Sequence, residues 1–93
     1  MARRLAMRHP MVHNLKCWPV YFNGLDQGDK TFDIREIRDR EFWPGDTLFQ
    51  EEWDPATYEY TGRTLLFRVT YTLTVQPFVP EGYVAMGIQR LLP

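Results

Sequence analysis

The sequence predicts a small α+β domain in which about five strands curl into a barrel plugged by a single helix. Three observations carry this. Apolar and polar residues alternate with a period of two through most of the chain, and only the stretch from Trp18 to Gly28 has helical spacing. A chain of 93 residues, 44% hydrophobic and 15% aromatic, supplies one core but not two. One helix cannot cover both faces of an open sheet, so the sheet has to close on itself.

Residues 1–11 show no period and are read as an N-terminal tail, with residues 12–93 as the single domain. "VHNLKCW" reads as a strand with Leu15 and Cys17 on the core side and Asn14 and Lys16 opposite. Pro19 suits the first turn of a helix, Trp18, Tyr21, Phe22 and Leu25 recur at helical spacing, and Gly28 stops it. A helix this short depends on packing that stripe against a sheet. "KTFDIR" then returns to a period of two, with Phe32 and Ile34 assigned to the core face and Thr31, Asp33 and Arg35 to the other. "WPGD" is a tight turn, with Gly45 supplying the positive φ. "TLFQEEW" follows as a strand and "DPATYEYTG" as a long hairpin connection. In "TLLFRVTYTLTV" the alternation puts Leu65, Phe67, Val69, Tyr71, Leu73 and Val75 inward. After the loop "QPFVPEG" the last strand turns Val84, Met86 and Ile88 inward.

Charge and composition narrow the function. The net charge of -1 conceals a basic first quarter with Arg3, Arg4, Arg8 and Lys16 and an acidic remainder. A protein that grips long nucleic acid needs many uncompensated cations to displace counterions, so a short or single-nucleotide ligand fits better than a duplex. No apolar run reaches the roughly 18 residues of a membrane span, and no membrane association is expected. The N-terminus lacks the apolar core of a signal peptide and Cys17 is the single cysteine, so the expected location is the cytoplasm.

Chemistry-bearing residues are few. His9, His13 and Cys17 are spaced by four, but Pro10 breaks a common face and no Cys-x-x-Cys pair exists, so no metal site and no cofactor are expected. Cys17 reads as a buried structural thiol. No phosphate-binding glycine loop is present. Stacking on bases falls to Trp18, Trp53 and Tyr83, near strand ends, because Tyr21, Phe22, Phe32, Phe67 and Tyr71 are assigned to the core. Thr31, Asp33 and Arg35 share a strand face, and Lys16 projects from a strand expected nearby. Such a set can hydrogen-bond a base edge or, alternatively, activate water; a salt-bridged solvent face has the same pattern.

Leu15-Lys16, Gly28, Lys30-Thr31, Asp33-Ile34-Arg35, Arg38-Asp39-Arg40, Phe42, Gly45-Asp46, Trp53, Tyr60-Thr61-Gly62-Arg63 and Glu81-Gly82-Tyr83 occur in this order over about residues 12–89. In these motifs the sequence resembles the DUF3850 family, which belongs with the ASCH domains of the PUA-like superfamily. It implies a PUA-like β-pseudobarrel of about five to six strands with one main helix. It also implies an RNA- or nucleotide-related role in a cleft beside the helix, and a phage or prophage source. Some small ASCH proteins are amidohydrolases that deacetylate N4-acetylcytidine with a Lys, a Thr three residues later, and a Glu. Lys30 matches the Lys, Asp33 stands where the Thr would be, and Glu51 or Glu52 is the candidate Glu.

The expected ligand-binding residues are therefore Lys16, Trp18, Lys30, Thr31, Asp33, Arg35, Trp53 and Tyr83. Lys30 and Asp33 would be catalytic if the protein is a hydrolase. RNA, a nucleotide or a nucleoside is the expected partner. A phage-encoded protein-interaction module is the third reading.

Overall fold

The structure, a computed structural model, describes residues 8–91. Strand β1 (Val12–Cys17) leads into helix α1 (Pro19–Gln27), followed by β2 (Phe32–Glu36), β3 (Thr47–Asp54), β4 (Glu59–Leu73) and β5 (Tyr83–Arg90). The five strands form one sheet in the order β1-β3-β4-β5-β2, curled into a half-barrel. Only β1 and β3 are parallel. The result is a small α+β pseudobarrel whose two open edges, β1 and β2, flank the cleft described below.

The core is one cluster. Leu15 and Cys17 from β1, Phe22 and Leu25 from α1, Leu48 from β3, Leu65, Phe67 and Val69 from β4, and Val84, Met86 and Ile88 from β5 converge inside the curl. Helix α1 has no side-chain cap at Trp18, whose carbonyl instead accepts from the N–H groups of Tyr21 (3.0 Å) and Phe22 (2.8 Å). It ends where Gly28 takes φ +85° and donates its N–H to the Leu25 carbonyl, a conformation that costs a side-chain-bearing residue about 1 kcal/mol or more. Its C-terminal half is pinned to the sheet by two arginines. Arg63 lies 4.7 Å over the Phe22 ring and donates to Asp26 (3.2 Å) and Glu52 (3.4 Å), while Arg90 donates to the Asp26 carboxylate (3.1 Å) and carbonyl (3.0 Å).

The turn before β3 is built around Asp46. Its N–H donates to the Trp43 carbonyl at 3.0 Å, with Gly45 at φ +97°. Its fully buried carboxylate accepts from Arg8 Nη1 and Nη2 (2.9 and 3.1 Å), the Met11 N–H (3.0 Å), His13 Nε2–H (2.9 Å) and the Trp43 N–H (3.0 Å). Burial by itself would raise the Asp46 pKa, but these donors outweigh it and bring it from the ordinary 3.8 down to about 2. Asp46 thus ties the approach to β1 to the start of β3.

Four sequence expectations need correction. The alternation in β2 is real but its phase is inverted. Phe32 and Ile34 are about half exposed, at 48% and 51%, and Asp33 is buried at 6%. Its carboxylate has interior partners that local patterning cannot reveal. Tyr71 is exposed, although the alternation in the sequence assigns it inward, because the β4–β5 register shifts between Val69 and Tyr71 and reverses the alternation beyond that bulge. Tyr21 also lies outside the core, since only Phe22 and Leu25 of the helical stripe are buried. Finally, the β3–β4 connection is shorter than expected, because pairing already begins at Asp54 and Glu59.

Candidate ligand cleft

Because β1 and β2 are the free edges of the curled sheet, the segment joining them overlies the gap. There the start of α1 brings Trp18 and Tyr21 beside the two strands. A hollow of about 380 Å³ is lined by Lys16, Cys17, Trp18, Tyr21, Ile34 and Arg35. A second, of about 370 Å³, is lined by Tyr21, Lys30, Phe32 and Ile34. Tyr21 and Ile34 belong to both, so the two hollows form one cleft. Its walls are aromatic and apolar, and its rim is cationic.

Beneath the rim lies a buried polar triangle. Arg35 Nε donates to Asp33 Oδ2 (3.0 Å), Gln50 Nε2 donates to the same oxygen (2.8 Å), and Arg35 Nη2 donates to Gln50 Oε1 (3.1 Å). Asp33 is on β2 and Gln50 on β3, which are not neighbours in the sheet, so the triangle spans the interior of the curl. Its geometry fixes the plane of the Arg35 guanidinium, and Nη1 has no hydrogen-bond partner among the described residues. A guanidinium held rigidly at the edge of an aromatic cleft is suited to bidentate recognition of a planar acceptor.

The remaining Asp33 oxygen, Oδ1, accepts the Ile34 N–H (3.1 Å) and stands 3.5 Å from Lys30 Nζ. Lys30 Nζ also donates to the Phe32 carbonyl (2.8 Å). These contacts fall on the open side of β2. Thr31 O accepts from Ile88 N on β5, so alternation turns the backbone groups of Phe32 and Ile34 away from β5 and into the cleft. Two of them are thus capped by the strand's own side chains.

Cys17 sits at the floor of the first hollow, 5% exposed. Burial pushes its thiol pKa up, the Asp33 charge adds to this, and Arg35 and Lys30 only partly oppose it. A thiol held in its protonated form is a poor nucleophile.

The cleft brings together Lys16, Trp18, Lys30 and Arg35 of the residues singled out in the sequence, with Asp33 directly beneath. Lys16 lies on the outward side of β1, and its ammonium rests 4.4 Å from the Trp53 ring and 6.0 Å from that of Tyr60. Trp53 is thus tied to the cleft only through Lys16, and packs edge-on against Tyr58 at 5.1 Å. Thr31 is exposed and lines neither hollow, and Tyr83 stands at the far end of β2 opposite Glu36. Of the two candidate glutamates, Glu52 is buried and accepts from Thr61 Oγ1 (2.6 Å) and Arg63, whereas Glu51 is half-buried.

Gln50 and Tyr21 were not among the sequence-based site residues. A signal for Gln50 exists: in "TLFQEEW" it shares a face with Leu48 and Glu52, so a polar side chain is carried into the core. Among the described residues no three His, Cys, Asp or Glu side chains are grouped to hold a metal ion, and no helix is long and apolar enough to cross a membrane.

The fold and cleft define a class: a single-helix α+β pseudobarrel with an aromatic, cation-rimmed opening between its sheet edges. The family model for DUF3850, described as a domain of unknown function, matches residues 12–88, and the chain belongs to that family. The match begins at β1 and ends within β5, so it contains every residue of the cleft. No curated protein matches the sequence.

Proposed function

We propose that this pseudobarrel belongs with the ASCH domains of the PUA-like superfamily and that its cleft binds a nucleobase, presented as a nucleotide, a nucleoside or an unpaired base of RNA. One observation carries the reading: Arg35 is held by buried Asp33 and Gln50 at the edge of a hollow walled by exposed Trp18 and Tyr21. An aromatic wall stacks a base of any sequence, worth about 1–3 kcal/mol per base, and the fixed guanidinium reads acceptors on its edge. Lys16 and Lys30 supply charge for a phosphate on the rim. The Asp33 carboxylate neutralises Arg35, which favours a polar ring over a polyphosphate.

The test is titration of the protein with the four ribonucleoside monophosphates, N4-acetylcytidine and short single-stranded RNAs, followed by Trp18 emission in a chain with Trp43→Phe and Trp53→Phe. Saturable quenching is expected, weakened at least about tenfold by Arg35→Ala, the loss of roughly one charge-assisted hydrogen bond. A flat response to every ligand refutes the proposal.

A hydrolase acting on N4-acetylcytidine-like nucleosides is the second reading, favoured by the 3.5 Å approach of Lys30 Nζ to Asp33 Oδ1. Against it, Asp33 already accepts hydrogen bonds from Arg35, Gln50 and the Ile34 N–H, which leaves it little freedom to act as a base. Chromatography of N4-acetylcytidine incubations decides this reading, and turnover equal to that of Lys30→Ala removes it.

A further inference from the structure

Between the 37–44 loop, the end of β4 and the start of β5 lies a cavity of about 600 Å³. It shares no lining residue with the cleft. We infer that this cavity is a second binding site, for a small organic anion with an apolar body and one carboxylate.

The cavity has the parts of a ligand pocket, and its volume lies within the range of about 300–1,000 Å³ usual for one. Buried Val84 and Phe42, with Ile37 packed against the core, give an apolar floor, and Trp43 forms a wall. Thr72 and Thr74 bring hydroxyls to the same cavity. Thr72 reaches the inner side because the β4 bulge reverses the alternation there.

The charge at the mouth selects the head group. The loop carries two arginines, which differ in one respect. Arg38 donates to Glu36 at 2.7 Å, while Arg40 makes no ion pair among the described residues. The Arg40 guanidinium is instead stationed 5.9 Å from the Phe42 ring, at the edge of the apolar floor. Glu41 also lines the cavity and brings a negative charge to it, but its Oε1 accepts the Trp43 Nε1–H at 3.1 Å, so that oxygen is engaged at the indole. An apolar hollow with one uncommitted guanidinium at its mouth is complementary to a carboxylate on a hydrocarbon or aromatic stem.

Trp43 provides the readout. In a chain with Trp18→Phe and Trp53→Phe it is the remaining tryptophan, since the sequence has three. Titration with 4-phenylbutyrate is expected to change its emission saturably. 4-Phenylbutan-1-ol should bind at least about fivefold more weakly, and Arg40→Gln should weaken the acid by a similar factor while leaving the alcohol unchanged. Arg40 is exposed, so its replacement does not threaten folding. Absence of saturable binding overturns the inference, as does equal affinity for acid and alcohol or an Arg40→Gln variant that binds the acid as well as the parent. None of these results bears on the nucleobase cleft.

Discussion

Replacing Asp46 by Asn tests whether one buried carboxylate ties the N-terminal approach to the barrel. The substitution keeps the shape but removes the charge that Arg8 grips with two hydrogen bonds, and it points an amide N–H₂ at groups that are themselves donors. Loss of a buried, charge-assisted cluster of this kind costs about 2–4 kcal/mol at neutral pH, a large part of the roughly 5–15 kcal/mol available to a small domain. The pH dependence is a sharper test. The folded-state pKa of about 2 lies below the ordinary 3.8, so the carboxylate stabilises the fold fully above about pH 4. That contribution, worth about 2 kcal/mol, is lost as pH falls from 4 through 2. Urea denaturation of both proteins at pH 7, 4, 3 and 2 measures it. The gap between parent and Asp46→Asn is expected to hold down to about pH 4 and to narrow by about 1 kcal/mol at pH 3 and about 2 kcal/mol at pH 2. A variant within 0.5 kcal/mol of the parent at pH 7, about the scatter of a surface substitution, would refute the reasoning. A gap unchanged at pH 2 would refute the electrostatic part alone.

Two further perturbations probe the scaffold. Leu48→Ala empties a fully buried position near the start of β3 and should cost about 2–5 kcal/mol in chemical denaturation; a cost under 1 kcal/mol would mean that the curl closes over the void. Gly28→Ala places a side chain at φ +85° with no heavy atom within 4 Å of the added carbon, so its expected cost of about 1 kcal/mol is conformational strain alone. Thermal melting should show it as a drop of several degrees, and an unchanged midpoint would mean that the helix end relaxes.

Strand and helix order was legible because period and punctuation agree. Pro19 and Gly28 bound α1, the Trp43–Asp46 turn precedes β3, and the inward phase of β5 follows directly from Val84, Met86 and Ile88. Inward and outward were not legible in β2. Its residue types read as apolar-in, but the cleft needs Phe32 and Ile34 outside and the triangle needs Asp33 inside. The partner that makes burial of Asp33 tolerable is Gln50, 17 positions away on a strand that is not adjacent. Likewise the bulge at Val69/Tyr71 is set by pairing with β5, where an added carbon on Gly87 would stand 3.2 Å from Thr70 Oγ1. Such features belong to the assembled sheet, and no window along β4 contains them. Lys16, Trp18, Lys30 and Arg35 come together at the cleft because each is near an element end that the order of elements brings to the gap.

The capped edge of β2 bears on self-association as well as on the cleft. A strand with an open side and two half-exposed apolar residues is a template on which another chain can add itself. Lys30 occupies the Phe32 carbonyl and Asp33 occupies the Ile34 N–H, so an incoming strand meets groups already engaged. The same two side chains that a hydrolase reading would make chemical therefore stand where an added strand would have to pair. An Asp33→Ala protein should be followed by light scattering, because removing that carboxylate unlocks a seam along which molecules can zip together.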